Sequence, residues 1–331
     1  MKPDELNRNP PLTPRVLVTG ATGFVGSTLC RVLTESGLQV RAAVRTADSV
    51  KVAGYEAVAV GDIDSKTDWT QALRGVDAVV HAAARAHVMN AKAQDVDLYF
   101  ETNARGTARL AQAAASAGIN RFVYVSSIKV NGEERQSGRY SATDSPQPRD
   151  PYGESKWRGE QALLEASGTM QAAIVRPPLV YGPGVRANFL RLMKWVDKGL
   201  PLPLAAINNR RSLVSVWNLC DLIVRLLRQP LPESRAWLVS DGEDLSTPAL
   251  IEKIAHAMGR RANLWPVPLG ALKLAGLLTG KSAEIARLGG SLAVDISATR
   301  TELGWQPPLT MDESVARTVQ WYLSEAGRRA H

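Results

Sequence analysis

Short apolar runs alternate with stretches of helical periodicity through the first half of the chain. Arg15–Thr19 (RVLVT) is a short apolar, β-rich run, and Gln39–Val44 (QVRAAV), Glu56–Val60, Asp77–His81 (DAVVH), Arg121–Val125 (RFVYV) and Gln171–Val175 read as further strands. Between them, Ser27–Glu35 sets Leu29, Val32 and Leu33 at helical spacing and ends at Ser36-Gly37. Ala104–Ala117 is alanine-rich and stops at Gly118. Strands alternating with helices predict an α/β fold with a doubly wound parallel sheet. The rhythm breaks at Arg176–Gly184 (RPPLVYGPG), dense in Pro and Gly, where a second, smaller domain is expected to begin. Expected domains are a polar, proline-rich lead-in over 1–13, a sheet domain over 14–178 and a mainly separate domain over 179–331, with a strand near 237–240 returning to the sheet. In the second half, Asn188–Val196 and Cys220–Leu227 have helical spacing, and Arg210–Val216 reads as a strand carrying cations.

Chemistry enters at the first strand–helix junction. Gly20-Ala21-Thr22-Gly23-Phe24-Val25-Gly26 follows strand one directly and opens a helix. Gly20 allows a tight turn, Gly23 lets backbone approach a pyrophosphate, and Gly26 lets the helix pack close to the strand. The helix N-terminus then offers free N–H groups to the anion. This predicts a dinucleotide site of Rossmann type, with Phe24 and Val25 in its rim. At the end of strand two, where a ribose reader stands, the chain has Arg45, with Arg41 four residues earlier and no acid. A cation there favours NADP over NAD, because it pairs with a 2′-phosphate. Asp62, with Ile63 beside it, is placed to meet the adenine, and the small Ala82 and Ala83 after strand four let a ligand approach. His81 closes a buried strand and is read as structural.

A second cluster lies further on. Ser126 and Ser127 follow strand five, at the carboxyl end where open parallel sheets bind ligands. Pro151 suits the first turn of a helix, so Tyr152 and Lys156 fall about 6 Å apart along one helix face. A phenol beside an ammonium has its phenolate stabilised and becomes a tunable proton donor.

Composition narrows the setting. The 331 residues carry 40 basic and 32 acidic side chains, a formal charge of +8, with arginines spread along the chain and no basic tail. That favours anionic small molecules over a nucleic-acid groove. Cys30 and Cys220 lack metal-ligand spacing and four histidines are scattered, so neither a disulfide framework nor a metal site is expected. A reducing cytoplasm is the expectation. No apolar run reaches the roughly 18 residues that span a bilayer. The nearest, Leu269–Leu278 (LGALKLAGLL), reads as a buried helix, with a peripheral membrane contact as the other reading.

Together, TGATGFVG (19–26), GDI (61–63), HAAA (81–84), Asn103 in TNARGT, YVSSIKVNG (124–132), PYGESK (151–156) and RPPLVYGPG (176–184) resemble the extended short-chain dehydrogenase/reductases, in the nucleotide-sugar epimerase/dehydratase/reductase branch. The resemblance implies that Ser127 holds the reacting oxygen with Ser126 beside it, Tyr152 carries the proton, and Lys156 holds the nicotinamide ribose. It also implies that Asn188 and Arg211 meet the nucleotide diphosphate of a UDP-sugar, with Arg186 a further cation for it, that Asn103 is structural or a relay, and that two sheet-domain helices form a homodimer. Where epimerases of the branch read VYG, this chain has Val130-Asn131-Gly132. Lys129 stands where a small residue is usual, and Arg45 where Asp is usual. These departures resemble NADPH-dependent reductases of UDP-4-keto-6-deoxy-hexosamines in surface-polysaccharide synthesis. The alternatives are a UDP-sugar 4-epimerase on retained NAD and a non-catalytic NADP-binding sensor.

Overall fold

A computed structural model describes residues 14–46, 55–85, 93–135, 137–280 and 288–324. The lead-in over 1–13 lies outside them. Strand β1 (Arg15–Thr19) leads through the glycine turn into α1 (Phe24–Glu35), then β2 (Gln39–Val44), β3 (Glu56–Ala59), α2 (Thr70–Leu73) and β4 (Ala78–His81). Next come α3 (Ala93–Phe100), a π-helical turn (Glu101–Arg105), α4 (Gly106–Ser116), β5 (Arg121–Val125), a 3₁₀ turn (Ile128–Val130), α5 (Pro151–Ser167) and β6 (Gln171–Arg176). The remainder holds β7 (Leu179–Tyr181), α6 (Ala187–Asp197), β8 (Arg211–Ser215), α7 (Val216–Arg228), β9 (Arg235–Leu238), β10 (Asp244–Leu245), α8 (Thr247–Ala257), α9 (Leu269–Thr279), α10 (Ser297–Leu303) and α11 (Met311–Leu323).

Seven strands hydrogen-bond in the order β3-β2-β1-β4-β5-β6-β9. The β3–β2, β2–β1, β1–β4 and β4–β5 pairings are parallel. The order reverses between β1 and β4, the topological switch point of a Rossmann sheet, and the glycine turn stands at the carboxyl end of β1 there. Backbone contacts divide the chain into two compact units. One comprises Met1–Tyr124, Arg158–Ala173 and Leu231–Ser234; the other comprises Val125–Trp157, Ile174–Pro230 and Arg235–His331.

In the first unit the sheet core is Leu17, Val18, Val79, Val80, Phe122 and Tyr124, all essentially buried, with Leu29 and Leu33 of α1 and Leu110 of α4 against it. Helix α1 ends as its sequence dictates. Gly37 takes φ 78°, and the Gly37 and Leu38 N–H groups bond back to the Thr34 and Leu33 carbonyls. The alanine-rich helix differs from expectation at its start, where the π turn inserts ahead of Gly106. Buried Asn103 sits in that turn and clamps the Arg85 backbone, accepting from its N–H at 2.8 Å and donating to its carbonyl at 3.1 Å.

The second unit carries a small sheet, β10-β8-β7, with β7–β8 parallel and β8–β10 antiparallel. Its core includes Tyr181, Phe189, Leu213, Trp237 and Ile251. The buried helix expected at Leu269–Leu278 is a helix but not buried throughout. Leu272 is covered, whereas Leu274, Leu277 and Leu278 are 60%, 70% and 81% exposed. No helix among the described residues is long and apolar enough to cross a membrane.

Candidate active site

The glycine turn of the first unit is a backbone cradle. Gly20 has φ +68°, and a Cβ built on it would lie 2.7 Å from the Ala83 nitrogen. A Cβ on Gly26 would lie 2.0 Å from the Gly20 carbonyl oxygen. Only hydrogen fits at either place, so α1 starts in contact with the β1 turn. Gly23 is the N-cap residue in extended conformation, no side chain caps the helix, and no acid occupies its first turn. The leading N–H groups and the positive end of the helix dipole therefore suit an anion. The cradle fits a dinucleotide pyrophosphate.

Around it, Thr19 Oγ1 accepts from the Ala83 N–H at 3.1 Å, which holds Ala82 and Ala83 beside the turn. His81 is fully buried, its ring nitrogens 2.6 Å from Thr19 Oγ1 and 3.0 Å from Thr107 Oγ1. It is a structural bridge, as read from sequence. Arg45, Asp62 and Gly61 are exposed, and Ile63 is half-buried. Arg41 departs from the reading that grouped it with Arg45. It is buried, with Nη1 donating to the Ala72 and Arg74 carbonyls at 3.1 and 2.5 Å and Nη2 pairing with Glu56 at 2.8 Å. Arg41 lies inside β2 and is spent on the end of α2, whereas Arg45 lies beyond the carboxyl end of the strand and is exposed.

The second unit holds the serine–tyrosine–lysine group. β5 ends at Val125, and the Ser126 N–H continues the pairing by donating to the Val175 carbonyl at 2.7 Å. Ser126 is buried. Half-buried Ser127 is extended and caps the 3₁₀ turn, its Oγ accepting from the Lys129 N–H at 3.3 Å. Helix α5 begins at Pro151, as predicted, and puts Tyr152 and Lys156 one turn apart. Tyr152 is half-buried; Lys156 is wholly buried, and its ammonium donates to the Val125 carbonyl at 2.8 Å. That bond ties the cation to the strand end carrying the two serines.

Of the expected diphosphate contacts, Asn188 lies half-buried in the first turn of α6, its Oδ1 accepting from Arg191 Nη2 at 3.0 Å. Exposed Arg186 is the N-cap residue of the same helix. Arg211 begins β8 and donates to the Gly290 carbonyl at 2.9 Å. Burial pulls its guanidinium below the ordinary arginine value, and Glu134 opposes this. Sequence reasoning noted Lys129 only as a departure and passed over Asp150, which caps α5 by accepting from the Gly153 N–H at 2.7 Å. An Asp directly before Pro-Tyr is the readable signal for that cap. No cluster of potential metal ligands occurs among the described residues.

The NAD dependent epimerase/dehydratase family model matches residues 16–239, and the chain belongs to that family. A Vibrio cholerae protein named UDP-glucose 4-epimerase is 45% identical over 319 residues, covering 95% of this chain and 97% of that protein. Among solved structures, MoeE5 in complex with UDP-glucose and NAD is 25% identical with a TM-score of 0.76, covering 96% of this chain and 99% of that one. Bordetella bronchiseptica WbmG in complex with NAD is 20% identical with a TM-score of 0.76, each chain covered to 97%.

Proposed function

We propose that the protein is a UDP-sugar 4-epimerase working on retained NAD. The observation that carries this is the 45% identity, over nearly the whole of both chains, to a protein named for that activity. Ser127, Tyr152 and Lys156 are the groups the reaction requires. The glycine turn holds the cofactor, which when bound supplies a reversible two-electron acceptor. Tyr152 takes the proton of the sugar 4-hydroxyl as the carbonyl forms, and returns it when the carbonyl is reduced on its other face. Ser127 orients that oxygen. Lys156, held by the Val125 carbonyl, keeps a buried positive charge on the tyrosine's helix. Asn188 and Arg211 bind the diphosphate by charge-assisted hydrogen bonds. Proton transfer by a placed phenol is worth ~10²–10⁴-fold.

A second reading, NADPH-dependent reduction of a UDP-4-keto-6-deoxy-hexosamine, is favoured by one observation. Arg45 stands exposed at the end of β2 without a carboxylate beside it in sequence. Its companion cation, Arg41, is engaged elsewhere, which weakens the case for NADP.

The purified protein, incubated with UDP-glucose or UDP-galactose and no added cofactor, is expected to interconvert them and to release NAD on denaturation. Tyr152→Phe is expected to lose ~10²-fold or more in turnover while keeping its nucleotide. Stoichiometric NADPH consumption with a UDP-4-keto-6-deoxy-sugar, and inertness toward the hexoses, would replace the epimerase reading with the reductase one.

A further inference from the structure

One ammonium joins the serine turn to the tyrosine helix. Lys129 Nζ contacts Asp150 Oδ2 and lies 2.8 Å from Glu133 Oε1. Asp150 uses its other oxygen, Oδ1, to accept from the Gly153 N–H at 2.7 Å, and its main-chain carbonyl accepts from the Glu154 N–H at 3.0 Å. Asp150 is thus both the cap of α5 and the partner of Lys129. The Lys129 backbone N–H meanwhile donates to Ser127 Oγ.

Two further contacts bring the same segments together. A Cβ on Gly153 would lie 2.8 Å from the Lys129 carbonyl oxygen, so the residue after Tyr152 must be glycine for α5 to approach this closely. The Gln147 N–H donates to the Val130 carbonyl at 2.9 Å. The ion pair is not a solvated surface pair, for the Lys129 and Asp150 side chains are only 27% and 16% exposed. Tyr152 lies between Asp150 and Gly153 in sequence, inside the first turn that this cap closes.

We propose that Lys129 is a positioning residue: its pairing with Asp150 holds the first turn of α5, and so the Tyr152 hydroxyl, in register with Ser127. This rests on the proposed function in taking turnover as one readout. An ammonium serves here because it reaches a carboxylate already used for capping without displacing the capping bond. The cap needs one oxygen of Asp150 and the pair needs the other.

The test uses the full chain and four variants: Lys129→Met, Asp150→Asn, the double variant and Lys129→Arg. Asparagine caps helices about as well as aspartate, so Asp150→Asn keeps the bond from Gly153 and removes the charge pair with Lys129. Each single variant is expected to lower kcat by up to ~10²-fold, the scale of a misplaced catalytic group, with KM and nucleotide retention unchanged. The double variant is expected to be no worse than either single one, and Lys129→Arg to recover most of the rate. Amide hydrogen exchange should quicken at Gly153 and Glu154 in Lys129→Met and stay unchanged at residues 160–167. Single losses that multiply in the double variant, or wild-type kcat in both single variants, would overturn the proposal. Should the wild type turn over no UDP-sugar, the reaction reading falls and the exchange measurement alone decides. Faster exchange confined to the first turn upholds the clamp, and unchanged exchange overturns it.

Discussion

Ala187 is the one residue other than glycine, among those described, with a positive φ, 53°. Its Cβ crowds the backbone there, at a cost of about 1–2 kcal/mol. Replacement by glycine removes that strain but frees the unfolded chain, so Ala187→Gly is expected to gain about 0.5–1 kcal/mol. The check is a higher urea midpoint at unchanged m-value; an equal or lower midpoint would show that the strain is relieved another way. Asn188 follows immediately, and backbone strain concentrates where a side chain must be aimed. At this scale Tyr152, Lys156 and the paired serines were legible, because helix and strand periodicities alone put them on one helix face and at one strand end. Arg41 was not, because sequence spacing cannot tell which face of β2 meets the α2 carbonyls that receive its guanidinium. Lys129 and Asp150 stand 21 residues apart, and nothing local links them.

The glycine turn works as an element, since β1, the turn and α1 share one close contact. Gly26→Ala would put a methyl 2.0 Å from the Gly20 carbonyl oxygen, and backbone cannot yield as a flexible side chain can. Overpacking of this kind costs about 1–3 kcal/mol or more. Chemical denaturation should show that loss, and retained nucleotide should fall with it as α1 is pushed off the turn. A variant that keeps its nucleotide and its midpoint would mean that α1 does not depend on this contact. Strands β1 to β6 were readable nearly to their ends from their short apolar runs, whereas the short β7 and β10 were not read and β9 begins two residues before the expected strand. The π turn was not readable, since its clamp uses Arg85, 18 residues before Asn103. Helix α9 was misjudged for a related reason. A stretch apolar but for Lys273 gives almost no polar face to show which side is covered, and Leu274, Leu277 and Leu278 stand in the open.

For the whole molecule, two carboxyl groups pull the acid stability in opposite directions. Hydrogen bonds from Ser65, then from Arg105, hold Glu101 well below its ordinary 4.5, at about 2. The unfolded chain takes up that proton first, so the stabilisation is complete above about 4.5 and is lost as pH falls toward 2. Asp241 behaves oppositely. Burial raises it from 3.8, although it accepts from Tyr181 Oη at 2.7 Å and from the Ser215 N–H at 2.9 Å. Its contribution shrinks as pH rises through and beyond 3.8. Between pH 5 and 3, Glu101→Gln should therefore flatten the loss of stability and Asp241→Asn should steepen it, read as urea midpoints against pH. Equal slopes in both variants and the wild type would remove these groups from the acid limb.

By itself the sequence determined the alternation of strands and helices, the glycine turn, and the spacing of Tyr152 from Lys156. Each is set by local periodicity or by a residue's own conformational limits. Only the tertiary structure decided that Arg41 is spent inside the protein and that Asn103 clamps Arg85. It also decided that Lys129 and Asp150 meet between the serine turn and the first turn of α5. Those pairings join residues far apart in the chain, and a hydrogen bond or ion pair over such a separation exists only once packing has brought its partners together.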